Sequence, residues 1–329
     1  MDLDSFQTPL IPDDDLFRVA SDCVQNGYRL TLAIVIDTWR SSPRQIGSMM
    51  LVREDKMIYG SVSGGCVEGA VIEASLKLMS HGGIERLDFG VSDAEAWEIG
   101  LSCGGEISVG LVTVSDGFFE KSLLAASIAT LEQRKKLVLK IDLETGQVQK
   151  TKLNGKESCL KGNEFVLVKC PRPRLILIGA VHISQHLGSM AKQCGFDVTI
   201  IDPRGIFANQ ERFPSINLIN AWPDEVLGDM VLDSSTSLVT LTHDPRIDDS
   251  ALVFSLPRPL FYFACLGSKR THQSRVLRLL DSGISQCNID RISGPAGLDI
   301  CAKTPAEIAV SILAELVSAY HSRHLIKNV

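Results

Sequence analysis

From residue 174 onward the chain alternates short apolar runs with helical ones, and this rhythm limits its fold more than any other feature. Arg174 to Ile178, Asp197 to Ile201, Ser237 to Leu241 and Leu260 to Leu266 read as strands, and Ile183 to Cys194 as a helix. Strand–helix–strand units of this length almost always close as right-handed crossovers, which set the strands parallel and put helices on both faces. The expectation for residues 171–329 is therefore a Rossmann-like, doubly wound parallel sheet. Thr304-Pro305-Ala306-Glu307 combines a capping box with proline at the first helical position, so the last long helix starts there. Cys170-Pro171-Arg172-Pro173-Arg174 marks the domain boundary.

Residues 1–170 carry a different pattern. A helix over Leu16 to Asn26, ended by Gly27, precedes a strand at Leu30 to Ile36 and the turn-rich Ser41 to Gly47. Strands follow at Met49 to Val52 and Met57 to Tyr59, then a helix from Val67 to Met79 that stops at Gly82-Gly83, then a strand from Glu106 to Val114. Residues 116–170 read as an extension of this unit, with a helix near Phe118 to Gln133 and a hairpin turn at Glu144-Thr145-Gly146. The fold class is α/β overall: an N-terminal α+β domain followed by the parallel sheet.

Composition narrows the function. A net charge of −6 with interspersed signs shows neither a basic face nor a basic tail, which argues against nucleic acid as a partner. No stretch approaches the roughly 20 apolar residues that span a bilayer. The N-terminus Met1-Asp2-Leu3-Asp4-Ser5 is acidic with no apolar signal core behind it, so a cytoplasmic location and no membrane partner are expected. The nine cysteines are odd in number and scattered, without a CxxC pair, which suits neither a disulfide framework nor a zinc site.

Two of those cysteines stand apart because of their neighbours. Cys66 lies in Gly60-Ser61-Val62-Ser63-Gly64-Gly65-Cys66-Val67-Glu68-Gly69, and Cys103, 37 residues later, lies in Gly100-Leu101-Ser102-Cys103-Gly104-Gly105-Glu106. Each loop sets a thiol between small residues and a carboxylate, where backbone N–H groups can reach a ligand unobstructed. Such a pair suits an anionic ligand with a soft centre. Cys66 directly precedes a helix, whose N-terminus favours anions and thiolates. Glu68 offers that helix a first-turn carboxylate, and Arg44, in Ser42-Pro43-Arg44, offers a cation for a bound anion.

In the second half, Gly179-Ala180-Val181 follows the first strand where a dinucleotide fingerprint would sit, and Asp202 ends the next strand 23 positions on. Val181 replaces the glycine that would let backbone approach a pyrophosphate, while Ser184 keeps close helix–strand packing. Thr242-His243-Asp244 and Gly267-Ser268-Lys269-Arg270-Thr271-His272 also follow apolar strands, whose carboxyl ends line the crevice of such sheets. Lys269 and Arg270 could grip a phosphate there, with Thr271 donating a hydrogen bond.

Taken together, these residues resemble the XdhC/CoxI family of molybdenum-cofactor accessory proteins. The stretches that carry the resemblance are Asp37 to Arg44 with Gly47 to Val52, Gly60 to Glu68, Ser102-Cys103-Gly104-Gly105, Leu177-Ile178-Gly179 with His182, Val198 to Asp202, Thr242-His243-Asp244, Leu266 to His272, and Gly297 to Ile300. The resemblance implies a chaperone that binds molybdopterin, the molybdenum cofactor, as cargo. It implies support for the cofactor's sulfuration and delivery to xanthine dehydrogenase or a related molybdenum hydroxylase. A cysteine desulfurase would be the sulfur-supplying partner, and a homo-oligomer is expected. Cys66 and Cys103 become the residues to ligate molybdenum, relay sulfur or line the pocket, with Gly64, Gly65, Glu68, Gly104, Gly105 and Arg44 around them. Gly179, His182, Asp202, His243, Asp244, Gly267, Lys269, Arg270 and Thr271 form the second candidate pocket, where a nucleotide is the alternative ligand. The competing readings are an NAD(P)-dependent oxidoreductase, a molybdopterin nucleotidyltransferase and a sulfur-relay protein.

Overall fold

The computed structural model describes residues 15–39, 44–90, 105–152 and 157–325. The chain divides into two compact units, one through Pro171 and one from Arg172. The first begins with α1 (Leu16–Gln25), β1 (Leu30–Trp39), β2 (Met49–Arg53), β3 (Ile58–Gly60), α2 (Glu68–Leu78), β4 (Ile84–Phe89) and β5 (Glu106–Thr113). It continues with α3 (Lys121–Glu132), β6 (Leu137–Asp142), β7 (Val148–Lys150), β8 (Cys159–Lys161) and β9 (Glu164–Lys169).

Five of these strands form an antiparallel sheet in the order β3-β2-β1-β5-β4. Both faces of its central strand are covered, which is why β1 is apolar without alternation. Leu30, Leu32, Ile34 and Ile36 pack with α1 (Leu16, Phe17, Ala20), α3 (Leu124) and the second sheet (Leu137, Leu139, Phe165, Leu167). Ala33 and Val35 face the other way, into a core with Val62, Val67, Val71 and Leu78 from α2 and the loop before it. The extension builds its own antiparallel sheet, β7-β6-β9-β8. Its β6–β7 hairpin turns where expected: Asp142 Oδ1 accepts from Glu144 N and Thr145 N, and Gly146 sits at φ +74.

The second unit contains β10 (Arg174–Ile178), α4 (His182–Gln193), β11 (Asp197–Ile201), β12 (Asn217–Ile219), α5 (Pro223–Leu227) and β13 (Thr236–Thr240). Then come α6 (Pro245–Ser255), β14 (Tyr262–Cys265), α7 (Lys269–Asp281), α8 (Gln286–Ile289), β15 (Ile292–Ser293) and α9 (Pro305–Leu325). The sheet order is β12-β11-β10-β13-β14-β15, every pairing parallel, which is the doubly wound arrangement. One face packs on α4 and α9 through Leu187, Ala191, Ala309, Ile312 and Leu316. The other packs on α5, α6 and α7 through Leu227, Ile247, Leu252 and Leu279. The α9 capping box forms as its sequence requires: Glu307 Oε2 accepts from Thr304 N at 2.8 Å, and Glu307 N donates to Thr304 Oγ1 at 3.3 Å. Among the described residues no helix is long and apolar enough to cross a membrane.

Candidate functional site

Strand register places the first group of candidate residues toward the same end of the five-stranded sheet, at different levels. Met49 opposite Ile34 opens β2, Gly60 opposite Met50 closes β3, and Glu106 opposite Trp39 opens β5. The segment with Arg44 and the loop with Cys66 therefore leave the sheet beside each other, while Gly105 precedes β5 at the level of Trp39, five residues further along β1 than Ile34. Gly60 makes the exit possible: at φ +79, a Cβ there would lie 2.5 Å from the Met49 carbonyl oxygen. Arg44 Nε donates to the Ser61 carbonyl at 3.1 Å, which ties the cation directly to the cysteine loop. Cys103 and Gly104 lie outside the described residues.

The amides expected to receive a ligand are engaged by the chain itself. The Glu68 carboxylate accepts hydrogen bonds from Val62 N, Ser63 N, Gly64 N and Gly65 N at 3.3, 2.9, 3.1 and 2.9 Å. It also accepts from Ser61 Oγ at 2.7 Å and Ser63 Oγ at 2.5 Å. Successive positive φ values at Gly64 (+83) and Gly65 (+120) turn the amides inward, a conformation that side chains disfavour. Burial alone would push the Glu68 carboxyl up, but the Ser63 and Ser61 hydroxyls and the loop amides outweigh it and hold it down at about 2. Cys66 is half-buried, and its N–H donates to Ser63 Oγ at 2.9 Å. Open space faces Gly65, where an added Cβ would meet nothing within 4 Å.

In the second unit, the parallel register aligns Ile178, Ile201, Thr240 and Cys265 at one level, so the residues after them share one edge. Gly179 (φ +112), Asp202, the Thr242-His243-Asp244 turn and Gly267 (φ +141) all stand there, with His182 opening α4 and Lys269 opening α7. His182, His243, Lys269, Arg270 and Thr271 are exposed. The His182 and His186 rings lie 5.1 Å apart. Ser268 caps α7 by accepting from Thr271 N at 3.1 Å, and its hydroxyl lies 3.0 Å from that of Thr271.

Asp202 is fully buried. Its carboxylate accepts from Ala180 N at 2.7 Å and from Arg204 through N, Nε and Nη2 at 2.8–2.9 Å. Burial raises its carboxyl, but Arg204 and the Ala180 N–H outweigh this and hold it below the usual carboxylate range. Asp244 caps α6 through Arg246 N and forms a bidentate pair with the Arg246 guanidinium, which brings its carboxyl down to about 2.

Sequence reasoning passed over Ser61, Ser63, Arg204 and Arg212. Arg212 Nη1 donates to the carbonyls of Ala180 and Phe207, which braces the glycine turn from outside. A signal for Arg204 was present: Asp-Pro-Arg occurs at 202–204 and again at 244–246, and both arginines fold back onto the aspartate two residues earlier. For the serines the signal was their place, before Gly64 and within reach of a carboxylate on the following helix.

Comparison with known proteins agrees with this layout. Residues 175–316 match the XdhC Rossmann domain model, and residues 23–90 match the model of the XdhC and CoxI family. The molybdenum cofactor insertion chaperone PaoD of Escherichia coli (strain K12) is 28% identical over 312 residues, 92% of this chain and 87% of PaoD. The protein YqeB of the same organism is 28% identical over 313 residues, and there the chain spans only 46% of the relative's length. A crystal structure from Bacillus halodurans, described as a xanthine dehydrogenase, superposes with a TM-score of 0.78 at 25% identity, covering 95% of this chain and 97% of that one. With both family models matched in chain order and the fold shared along nearly its whole length, the chain belongs to the XdhC and CoxI family.

Proposed function

We propose that this protein is an accessory factor that binds the molybdenum cofactor as cargo, supports its sulfuration and delivers it to xanthine dehydrogenase or a related molybdenum hydroxylase. The observation that carries the reading is the junction of Arg44 with the Cys66 loop at one end of the N-terminal sheet, where Arg44 Nε donates to the Ser61 carbonyl at 3.1 Å. A half-buried thiol suits a soft molybdenum–dithiolene centre, and a neighbouring guanidinium suits an anionic substituent. Similarity to PaoD over most of both chains supports the same reading. Cys103 and Gly104 are assigned to this site on the family resemblance, with Cys103 as the second thiol. A cysteine desulfurase would supply the sulfur. The domains are assigned as 1–170 and 171–329, and the protein as a cytoplasmic homo-oligomer.

The test is pterin retention. Purified protein is loaded with released cofactor, gel-filtered and assayed for the fluorescent oxidised pterin. Near-stoichiometric pterin in the wild type, falling severalfold in Cys66→Ser or Cys103→Ser, supports the reading and its thiol site. An absence of pterin, from a preparation that loads a known cofactor binder, overturns it.

A further inference from the structure

The loop from Ser61 to Cys66 is wrapped around a carboxylate from its own chain. Six donors converge on the two oxygens of Glu68, four of them consecutive backbone amides, and the residue is only 9% exposed. A run of inward-turned amides is a shape that holds an anion, and Glu68 is that anion. The link onward to Cys66 is a single hydroxyl. Ser63 Oγ has one proton, which it gives to Glu68, so its lone pairs are left to accept Cys66 N at 2.9 Å and Val67 N at 3.0 Å. The charge on Glu68 therefore orients Ser63, and Ser63 orients the backbone that carries the thiol.

We propose that Glu68 is a positioning residue: as the built-in anion of the loop, it fixes the backbone that presents Cys66 and closes the loop amides to any other anion. The geometric part stands by itself, while its functional consequence rests on the reading of Cys66 as a cofactor-facing thiol. Under that reading, an anionic group of the cargo is met by side chains and not by the Val62–Gly65 amides. Glutamine cannot replace Glu68, because its NH2 would face amide donors, whereas a vacated loop can accept a small carboxylate.

The experiment uses the full chain as wild type, Glu68→Gln and Glu68→Ala. It reads Cys66 alkylation by peptide mass spectrometry, with buried Cys23 and Cys265 as internal references, alongside thermal unfolding. Alkylation of Cys66 is expected to speed up about tenfold in both variants, the effect of losing charge-assisted hydrogen bonds. Formate should return Glu68→Ala toward the wild-type rate and leave the wild type unchanged. In the wild type, amide exchange at Val62 to Gly65 should run about 100-fold slower than in an open loop.

Unchanged alkylation in both variants, even with a lowered melting temperature, would reduce Glu68 to a stability role and overturn the proposal. Freely exchanging wild-type amides would overturn it too, and that measurement decides the matter if neither variant folds. Pterin retention separates the two readings. Loss of pterin in Cys66→Ser with unaltered alkylation in Glu68→Ala leaves the cofactor reading standing and removes this one. Altered alkylation with pterin indifferent to Cys66 does the reverse.

Discussion

The carboxylate of Asp202 accepts the backbone N–H of Ala180 at 2.7 Å, so the acid that directly follows β11 is bound to the turn that follows β10. In a dinucleotide site such an acid would face ribose hydroxyls. In this protein it is buried and closed by the Arg204 fork, which makes the pair a clasp across two parallel strands.

Removing that clasp should be costly. Asp202→Ala strands a buried amide and leaves Arg204 without its carboxylate, and we expect a loss of about 3 kcal/mol in stability. Urea unfolding of wild type and variant measures it. A loss below about 0.5 kcal/mol would show that water replaces the carboxylate without penalty.

Nicotinamide cofactors should not bind. With both Asp202 oxygens committed and the Val181 side chain at the glycine turn, titration calorimetry with NAD(H) and NADP(H) should show no saturation below about 1 mM. Micromolar binding would mean that Arg204 releases Asp202 readily, and it would reopen the oxidoreductase reading.

Acid stability should carry the signature of Glu68. Its folded value of about 2 lies below the ordinary 4.5, so between those values the unfolded chain binds more protons and stability falls as pH falls. The contribution is fully present above about pH 4.5 and is lost as pH drops through about 2. Its size is about 3 kcal/mol at 1.36 kcal/mol per pKa unit. In urea midpoints measured from pH 6 down to 3, Glu68→Gln should be less stable near neutrality and have a flatter acid limb. Parallel limbs in the two proteins would count against an ionised, buried Glu68.

Gly179→Ala should destabilise the second unit by about 2 kcal/mol, because φ is +112 and the new Cβ would lie 2.6 Å from Thr242 Cγ2. Gly195→Ala, also at positive φ (+87) but with nothing within 4 Å of the new Cβ, should cost less, about 1 kcal/mol. Comparing the two thermal midpoints separates backbone strain from collision.

Much of the fold was legible because it repeats local rules. The β10–α4–β11 alternation, the Thr304–Glu307 capping box and the Asp142–Gly146 hairpin each depend on residues a few positions apart. The separate four-stranded sheet was harder to see, since β6 pairs with β9 across 22 or more residues and nothing local sets that register. Within the site, Arg44 and the Cys66 loop could be nominated one by one. Their junction, Arg44 Nε on the Ser61 carbonyl, depends on β2 and β3 pairing first.

The sequence by itself determined that the chain has a parallel α/β half, that small residues flank Cys66, and that a carboxylate follows two residues later. Tertiary structure decided which groups the available donors would find. Glycines at 64 and 65 permit amides to turn inward, and Gly179 permits a tight exit from β10, yet neither names an acceptor. Folding brought Glu68 under one set of amides and Asp202 against the other, at hydrogen-bond distance and largely out of water. A buried donor must be satisfied, but the partner is whichever group packing delivers, and packing is a property of the whole chain.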